Sequence, residues 1–308
     1  MSHTHELLVV YNICGLANKE NIDWYIKCID SILNQNNEDY QLVISSCMNT
    51  SNDIDRLRQE FGNDIFYNII NEILPVNATF NHAVLNCVKH FGKFNGYLYI
   101  DSGVHFDKKD ILTIAQEKYD PNKFSMVTLP TENDMGFEGW FGFDFPEKDF
   151  IIPAGGACNL HAQIFSHDIY ETFNERIWPD IFASYASESV FSFLNACVHK
   201  EWLVISDIKL LHDKGIDGAS LGFHHGNFES FRSPRPILEI MRDPEAYKSG
   251  LGFAECPGLQ ILMHDKSLYD DNNLFVKDPQ RLVNFINNNL FLSEESLDYN
   301  NIKHEFIK

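Results

Sequence analysis

The first hundred residues alternate between two hydrophobic periods, and this alternation constrains the fold more than any other feature of the chain. Short apolar runs of the kind that form buried strands occur at 7–13, 41–45, 65–70 and 97–100. Between them, apolar residues recur at three- and four-residue spacing, most clearly in 80–91, as in helices that bury one face. Strands and helices that alternate in this way form a mostly parallel sheet flanked by helices. The sequence therefore predicts an α/β fold.

The rest of the chain is less regular but has no internal repeat and no long linker. A helical pattern at 190–198 precedes a strand-like segment at 202–205, and a further helix is predicted at 280–288. Pro, Asn and charged residues become frequent in the last quarter of the chain. We therefore predict one domain over residues 1–232, with a C-terminal extension at 233–308 that packs on it.

Charge and cysteine content exclude several classes of partner. The formal net charge is −20 and the 24 Lys and Arg residues are scattered, so neither nucleic acid nor an anionic membrane is expected as a partner. The seven Cys residues form no CxxC pair, which favours a reducing compartment. The start of the chain does not resemble a signal peptide, and no apolar run approaches the ~20 residues of a transmembrane helix. We expect a cytoplasmic protein without a transmembrane segment.

The most informative polar residue is Asp101, which comes directly after the fourth apolar run in YLYIDSGVHF. In parallel α/β sheets ligands bind beyond the carboxyl ends of the strands, where Asn12 and Ser46 are also expected to lie. The next helix is predicted to start near Asp107 or Lys108, which is too far along the chain for Asp101 to cap it. We therefore interpret Asp101 as a ligand-binding residue.

The order of elements, with Asn77–Asn81 opening the helix before the Asp101 strand, resembles the nucleotide-binding half of GT-A glycosyltransferases, in particular the inverting family 2. In that family the fourth strand ends in a D-x-D motif whose carboxylates hold a divalent metal against the donor diphosphate. A glycine-rich segment and a motif that carries the catalytic base follow, and Gly155–Ala157 and Ser187–Ser189 resemble them. The resemblance covers about residues 6–215.

The resemblance implies a GT-A (Rossmann-like) domain, with the nucleotide-binding half at about 6–106 and the acceptor half at about 107–232. It implies a transferase of glycan biosynthesis that uses a UDP- or GDP-sugar as donor, a glycan or other hydroxyl compound as acceptor, and Mn²⁺ or Mg²⁺ as cofactor. The residues expected to bind the donor are Tyr11, Asn12, Ser46, Asn77, Asn81, Asp101, Ser102, Gly155, Gly156 and Lys214.

The chain departs from the family at the metal-binding motif, because Asp101 is followed by Ser and Gly rather than by a second carboxylate. If the chain stays extended after Asp101, the side chain of His105 points to the same side as Gly103 and is a candidate metal ligand. His212 is the stronger candidate, since many GT-A enzymes supply a metal-binding His at the corresponding place. Lys214, two residues further on, is expected to neutralise a phosphate oxygen. Mn²⁺ accepts such mixed oxygen and imidazole ligation.

The predicted catalytic base is Glu188, which the resemblance places where an inverting enzyme removes the proton of the acceptor hydroxyl. An alternative is that Glu188 belongs to a helix capping box with the nearby Ser184 and Ser187. In that case Asp180 is the reserve candidate for the base. A retaining transfer without such a base is also open.

Two other classes of function stay open at this stage. One is a sugar nucleotidyltransferase, although no glycine-rich phosphate loop with a basic residue lies near the first strand. The other is a non-catalytic carbohydrate-binding domain that kept the fold and lost the motif. A zinc protease is disfavoured because the sequence contains no HExxH motif. His161, near Gly155 and Gly156, is either an acceptor-site residue or an ordinary core or surface histidine.

Overall fold

The computed structural model describes residues 6–14, 22–47, 54–62, 65–71, 74, 76–131, 148–152, 161–180, 194–212, 267, 270, 276–289, 291 and 297–308. The strands within these ranges are β1 (Leu7–Cys14), β2 (Tyr40–Cys47), β3 (Phe66–Ile70), β4 (Gly96–Ile100), β5 (Val104–His105), β6 (Phe124–Thr128), β7 (Phe150–Ile152), β8 (Ala162–Ser166), β9 (Glu201–Val204), β10 (Leu211–His212) and β11 (His304–Ile307). The helices are α1 (Ile22–Leu33), α2 (Asp55–Phe61), α3 (Val76–Phe91), α4 (Ile111–Lys118), α5 (His167–Thr172) and α6 (Pro279–Asn289).

Nine of the described strands form one sheet in the order β11-β3-β2-β1-β4-β8-β6-β9-β7. Strands β1 to β4, β6 and β9 run in one direction, while β7, β8 and β11 run in the opposite direction. The two remaining strands, β5 and β10, form a separate antiparallel ribbon. These observations confirm the predicted α/β class with a mostly parallel sheet.

Strand β1 shows why the sheet is covered on both faces. Its side chains at 7–13 are buried, and the apolar ones alternate between two hydrophobic clusters, as the two-residue period of a strand requires. Helix α1 packs on the cluster that contains Leu7 and Val9, through residues spaced three and four apart. Helix α3 packs on the cluster that contains Leu8 and Val10. The predicted helical faces are therefore the ones that cover the sheet.

Two boundaries near the end of β4 matter for the site. The helix that we predicted to start near Asp107 or Lys108 begins at Ile111, so that prediction was a few residues early. Between β4 and β5 the chain turns at Gly103, whose φ of 84° favours glycine. The late helix predicted at 280–288 is confirmed as α6.

The C-terminal residues 297–308, which we call the C-terminal clasp, contribute strand β11 to the main sheet and contact α3. Strand β11 pairs antiparallel with β3 and forms the sheet edge next to it. The ring of His304 meets that of His82 at 4.5 Å between centroids, in an edge-to-face arrangement. The clasp thus links the end of the chain to the helix that precedes β4. The boundary proposed at residue 232 lies outside the described residues and stays a prediction.

Within the part of the chain that the structure describes, no helix has the length and apolar character needed to cross a membrane. Four cysteines of this part form no disulfide and are buried: Cys28, Cys47, Cys87 and Cys197.

Candidate metal centre

Asp101 lies immediately beyond β4, at the carboxyl edge of the parallel strands, as predicted. Its Oδ1 accepts hydrogen bonds from the Tyr99 hydroxyl at 3.1 Å and from the Ser102 N–H at 2.9 Å. Its own N–H donates to the carbonyl oxygen of His161 at 2.8 Å. The carboxylate therefore has one oxygen fixed by the protein and the other, Oδ2, turned towards His161.

Two histidines complete a compact group around this carboxylate. The Nδ1 of His161 lies 3.2 Å from Asp101 Oδ2, and the rings of His161 and His212 are 4.0 Å apart between centroids. One ligand atom from each of the three residues lies within 4.8 Å of the others. His212 is 1% exposed, whereas the side chains of Asp101 and His161 are 28% and 20% exposed. The group is thus anchored in the protein on one side and reachable by a ligand on the other.

Long-range strand pairing brings these residues together. Strand β8 runs antiparallel to β4, with Ala162 opposite Ile100, and this register puts His161 beside Asp101. Strand β10 runs antiparallel to β5, with His212 opposite Val104. The two histidines therefore reach Asp101 from two different strand pairs, one in the sheet and one in the ribbon.

The electrostatics of the group keep Asp101 ionised. Burial by itself would raise the pKa of this carboxyl. The hydrogen bond from His161, the charges of His161 and His212 and the N–H of Ser102 act in the opposite direction, and the net pKa is lowered from its ordinary value. At neutral pH Asp101 is therefore a carboxylate, which only accepts hydrogen bonds and can serve as a metal ligand.

The donor set fits a divalent first-row metal ion. Two imidazole nitrogens and one carboxylate oxygen are a combination that such ions accept, and they leave coordination positions for other ligands. The structure therefore brings Asp101 and the predicted ligand His212 together. The third member of the group is His161, for which the sequence predicts an acceptor-site residue or an ordinary histidine and no metal ligation. The signal in the sequence was its position one residue before a short apolar run.

The structure does not bring His105 to this group. The prediction assumed that the chain stays extended after Asp101, but the turn at Gly103 breaks the strand. In the ribbon His105 pairs with Leu211, next to the pair formed by Val104 and His212. Because neighbouring positions on a strand face opposite sides, His105 points away from His212. Its ring stacks instead on Trp24 at 5.9 Å between centroids.

Three predicted donor-binding residues lie at the carboxyl ends of β1 and β2. Tyr11 is fully buried, and its hydroxyl accepts a hydrogen bond from the N–H of Gly103 at 3.2 Å, so it supports the turn after Asp101. Ser46 is also fully buried. Asn12 donates from Nδ2 to the carbonyl oxygen of Val76 at 3.4 Å, while its Oδ1 is buried and has no hydrogen-bond partner in the described part of the chain. Within the described residues, Asn12 Oδ1 is therefore a buried acceptor at this edge that has no donor.

Asn77 and Asn81 have a structural role in the described residues. The Oδ1 of Asn81 accepts from the N–H groups of Ile177 and Trp178, and its Nδ2 donates to the Trp178 carbonyl and the Tyr299 hydroxyl. These four bonds fill its hydrogen-bonding capacity and leave none for a donor nucleotide. Asn77 donates in the same region to the carbonyl of Pro179. Both side chains therefore hold segment 177–180 against α3.

Asp180, the reserve base, is fully buried and paired. It accepts a hydrogen bond from the Tyr299 hydroxyl at 2.7 Å and lies 3.5 Å from the guanidinium of Arg176. A base that removes a proton from an acceptor must be within hydrogen-bond reach of it, and burial with Tyr299 and Arg176 favours a structural role here. The predicted residues Glu188, Gly155, Gly156 and Lys214 lie outside the described residues.

No protein-family model and no curated protein matches the sequence. Among solved structures, the chain is similar to the mannosyltransferase PcManGT from Pyrobaculum calidifontis in complex with GDP-Man and Mn²⁺, with a TM-score of 0.50 and 12% identity over 85% of this chain and 70% of that chain. UDP-glucose pyrophosphorylase complexed with UDP-glucose is matched with a TM-score of 0.41 and 10% identity over 70% of this chain and 98% of that chain. The first of these similarities shows a shared fold, so the chain has a GT-A-like α/β fold with a mostly parallel sheet.

Proposed function

We propose that this chain is a glycosyltransferase that moves a sugar from a UDP- or GDP-sugar to a glycan or other hydroxyl acceptor, with a divalent metal held by Asp101, His161 and His212. The observation that carries the proposal is the convergence of these three side chains at the carboxyl edge of the GT-A-like sheet. This edge is where open α/β sheets bind their ligands. The similarity to a mannosyltransferase in complex with GDP-Man and Mn²⁺ supports the choice of substrate class and metal.

The net charge of the protein favours a metal ion as the partner of the donor diphosphate. With a formal net charge of −20, the chain offers little general attraction to a nucleoside diphosphate. When bound, Mn²⁺ or Mg²⁺ would offset the charge that develops on the departing diphosphate. Asp101 is suited to hold the ion because its carboxylate lies close to a ring nitrogen of each histidine. His161 and His212 would supply the neutral ligands in place of the second carboxylate of the D-x-D motif.

The remaining residues of the proposed donor site are Asn12 and three residues outside the described part of the chain. The unpartnered Oδ1 of Asn12, at the end of the neighbouring strand β1, is an acceptor for an N–H or hydroxyl group of the donor. Gly155, Gly156 and Lys214 keep their proposed roles in donor binding. Lys214 follows His212 by two residues in the sequence. In the proposed site its ammonium group contacts the diphosphate next to the metal.

The proposed stereochemical course is inversion with Glu188 as the base. Glu188 would accept the proton of the acceptor hydroxyl as its oxygen attacks the anomeric carbon and the bond to the diphosphate breaks. Asp180 is the less suitable base because it is buried against Tyr299 and Arg176. Anomeric analysis of the product by NMR tests this part separately from donor use.

The proposed function is tested by measuring nucleotide release from a panel of UDP- and GDP-sugars with and without Mn²⁺ or Mg²⁺. We expect metal-dependent release of UDP or GDP, and its loss in Asp101→Asn. Asp110→Asn is the matched control, because Asp110 is exposed and its side chain makes no capping hydrogen bond to α4.

Two outcomes would contradict the proposal. Formation of a nucleotide sugar and pyrophosphate from a nucleoside triphosphate and a sugar phosphate would identify a nucleotidyltransferase. Metal-independent carbohydrate binding with no nucleotide release from any donor would identify a non-catalytic binding domain.

A further inference from the structure

We propose that Asp101, His161 and His212 form a complete transition-metal site, which binds its ion in the absence of nucleotide and selects Mn²⁺ or Co²⁺ over Mg²⁺. The inference deepens the proposed function, because the ion is the one proposed to hold the donor diphosphate. Beyond the proposed function, the metal ion binds before the nucleotide, and the site discriminates against Mg²⁺.

The donor atoms of the three side chains favour a transition-metal ion over Mg²⁺. Mg²⁺ prefers six oxygen ligands in near-ideal octahedral geometry, keeps several of its waters, and is usually held by one or two carboxylates together with substrate phosphates. Here only Asp101 offers an oxygen, and the other two side chains offer imidazole nitrogens. Imidazole suits the later first-row ions, whose affinity for a given site rises from Mn²⁺ to Co²⁺. The replacement of a carboxylate by two histidines therefore changes the ion that the site selects.

The protein also orients the ligands without a substrate. The carboxylate of Asp101 accepts hydrogen bonds from the Tyr99 hydroxyl and the Ser102 N–H. The main-chain N–H of Asp101 donates a hydrogen bond to the carbonyl oxygen of His161. His212 lies in strand β10 and is 1% exposed, so packing restricts its ring. A ligand set that is already close costs little ordering free energy when the ion binds.

The number of protein ligands also supports binding of the ion without nucleotide. A site with a single carboxylate would depend on the diphosphate to complete its coordination, and metal and nucleotide would then bind together. Catalytic zinc sites have three protein ligands and an open position for water or substrate, and the same number of protein ligands here lets the chain hold an ion without nucleotide. The ion therefore belongs to the resting protein, and the donor adds to it.

The experiment is a calorimetric titration of untagged, chelator-treated protein with MnCl₂, CoCl₂ and MgCl₂ in the absence of nucleotide. The loss of the free Mn²⁺ signal in electron paramagnetic resonance provides an independent count of bound ions. We expect one Mn²⁺ per chain that His161→Ala binds at least tenfold more weakly. We also expect Mg²⁺ to bind the parent more than tenfold more weakly than Mn²⁺, and Co²⁺ to bind more tightly than Mn²⁺. The chain has 13 His, so ions can also bind elsewhere. Occupancy of the site is therefore taken as the difference in bound Mn²⁺ between the parent and this variant.

Variants separate this site from other histidines. His161→Ala is suitable because the side chain is partly exposed, and His212→Gln provides the second test at the buried position. Both should weaken Mn²⁺ binding at least tenfold while the circular dichroism spectrum is unchanged. His105→Ala is the matched control, since His105 lies on the opposite face of the same ribbon. Equal weakening in His105→Ala and His161→Ala would overturn the assignment.

Failure of this inference is distinguishable from failure of the proposed function. If Mg²⁺ binds within tenfold of Mn²⁺, or no ion binds until UDP or GDP is added, the inference is overturned while metal-dependent donor use stands. If Mn²⁺ binds to the resting protein but no nucleotide does, the metal site stands and the glycosyltransferase proposal fails.

Discussion

Burial of His82 should make the free energy of unfolding depend on pH. His82 lies on α3, is fully buried, and packs edge-to-face against His304 of the C-terminal clasp. Burial, followed by the charges of His304 and Lys89, lowers the pKa of His82 from 6.5 to about 3. Between these two values the unfolded chain binds a proton that the folded chain does not. The contribution of His82 therefore destabilises the fold as the pH falls from about 6.5 towards about 3.

The size of the effect follows from the shift. One pKa unit corresponds to about 1.4 kcal/mol, so protonation of the unfolded chain costs the fold about 2 kcal/mol of unfolding free energy at pH 5. At pH 3 the same difference is about 4 kcal/mol, because the unfolded chain is then fully protonated at His82 and the folded chain is protonated by about half.

The assay is urea unfolding of the parent and of His82→Gln at pH 7 and pH 5. The glutamine side chain is uncharged at both values, so the variant should lose about 2 kcal/mol less than the parent between them. His90→Gln is the control, because His90 is exposed on the same helix. The free energy of unfolding of this variant should change between pH 7 and pH 5 as that of the parent does. If His82→Gln loses as much stability as the parent, the buried imidazole is not the group that responds.

Three further predictions concern the site and its support. Tyr99→Phe removes the hydroxyl that orients Asp101, and calorimetry should show Mn²⁺ affinity reduced ~10–100-fold with the melting temperature little changed. Tyr299→Phe removes the hydrogen bond to buried Asp180 and should lower the free energy of unfolding by ~1–3 kcal/mol in urea, with unchanged stability as the contrary result. Glu188→Gln should keep donor binding and lose transfer by ~10²–10⁴ in turnover; near-normal turnover with a lowered melting temperature would identify Glu188 as a capping residue.

The sheet and the helices of the first hundred residues could be predicted because the signal is local. The continuous apolar run of β1 and the three- and four-residue spacing in α1 and α3 are visible in short windows of sequence. The same reasoning placed Asp101, since a carboxyl end of a strand is defined by the apolar run before it. It could not locate the start of α4 to within a few residues, because Ile111 has no side-chain cap before it.

The metal group could be predicted only in part, because it depends on pairing between distant segments. Asp101 and His161 are 60 residues apart and meet through the register of β4 and β8, which no local pattern encodes. The proposal of His105 failed to anticipate the turn at Gly103, where a positive φ replaces the assumed extended chain. Asn81 sits at the expected helix start, but its bonding groups are used by the segment at 177–178.

The most direct test of the account is calorimetric binding of UDP and GDP in the presence and absence of Mn²⁺, with the parent and Asp101→Asn. The account predicts that at least one of the two diphosphates binds the Mn²⁺-loaded parent. It also predicts that binding falls at least a hundredfold when the metal is removed or Asp101 is replaced. Equal affinity with and without Mn²⁺, or an Asp101→Asn variant that binds as the parent does, would contradict a donor site built on this metal group.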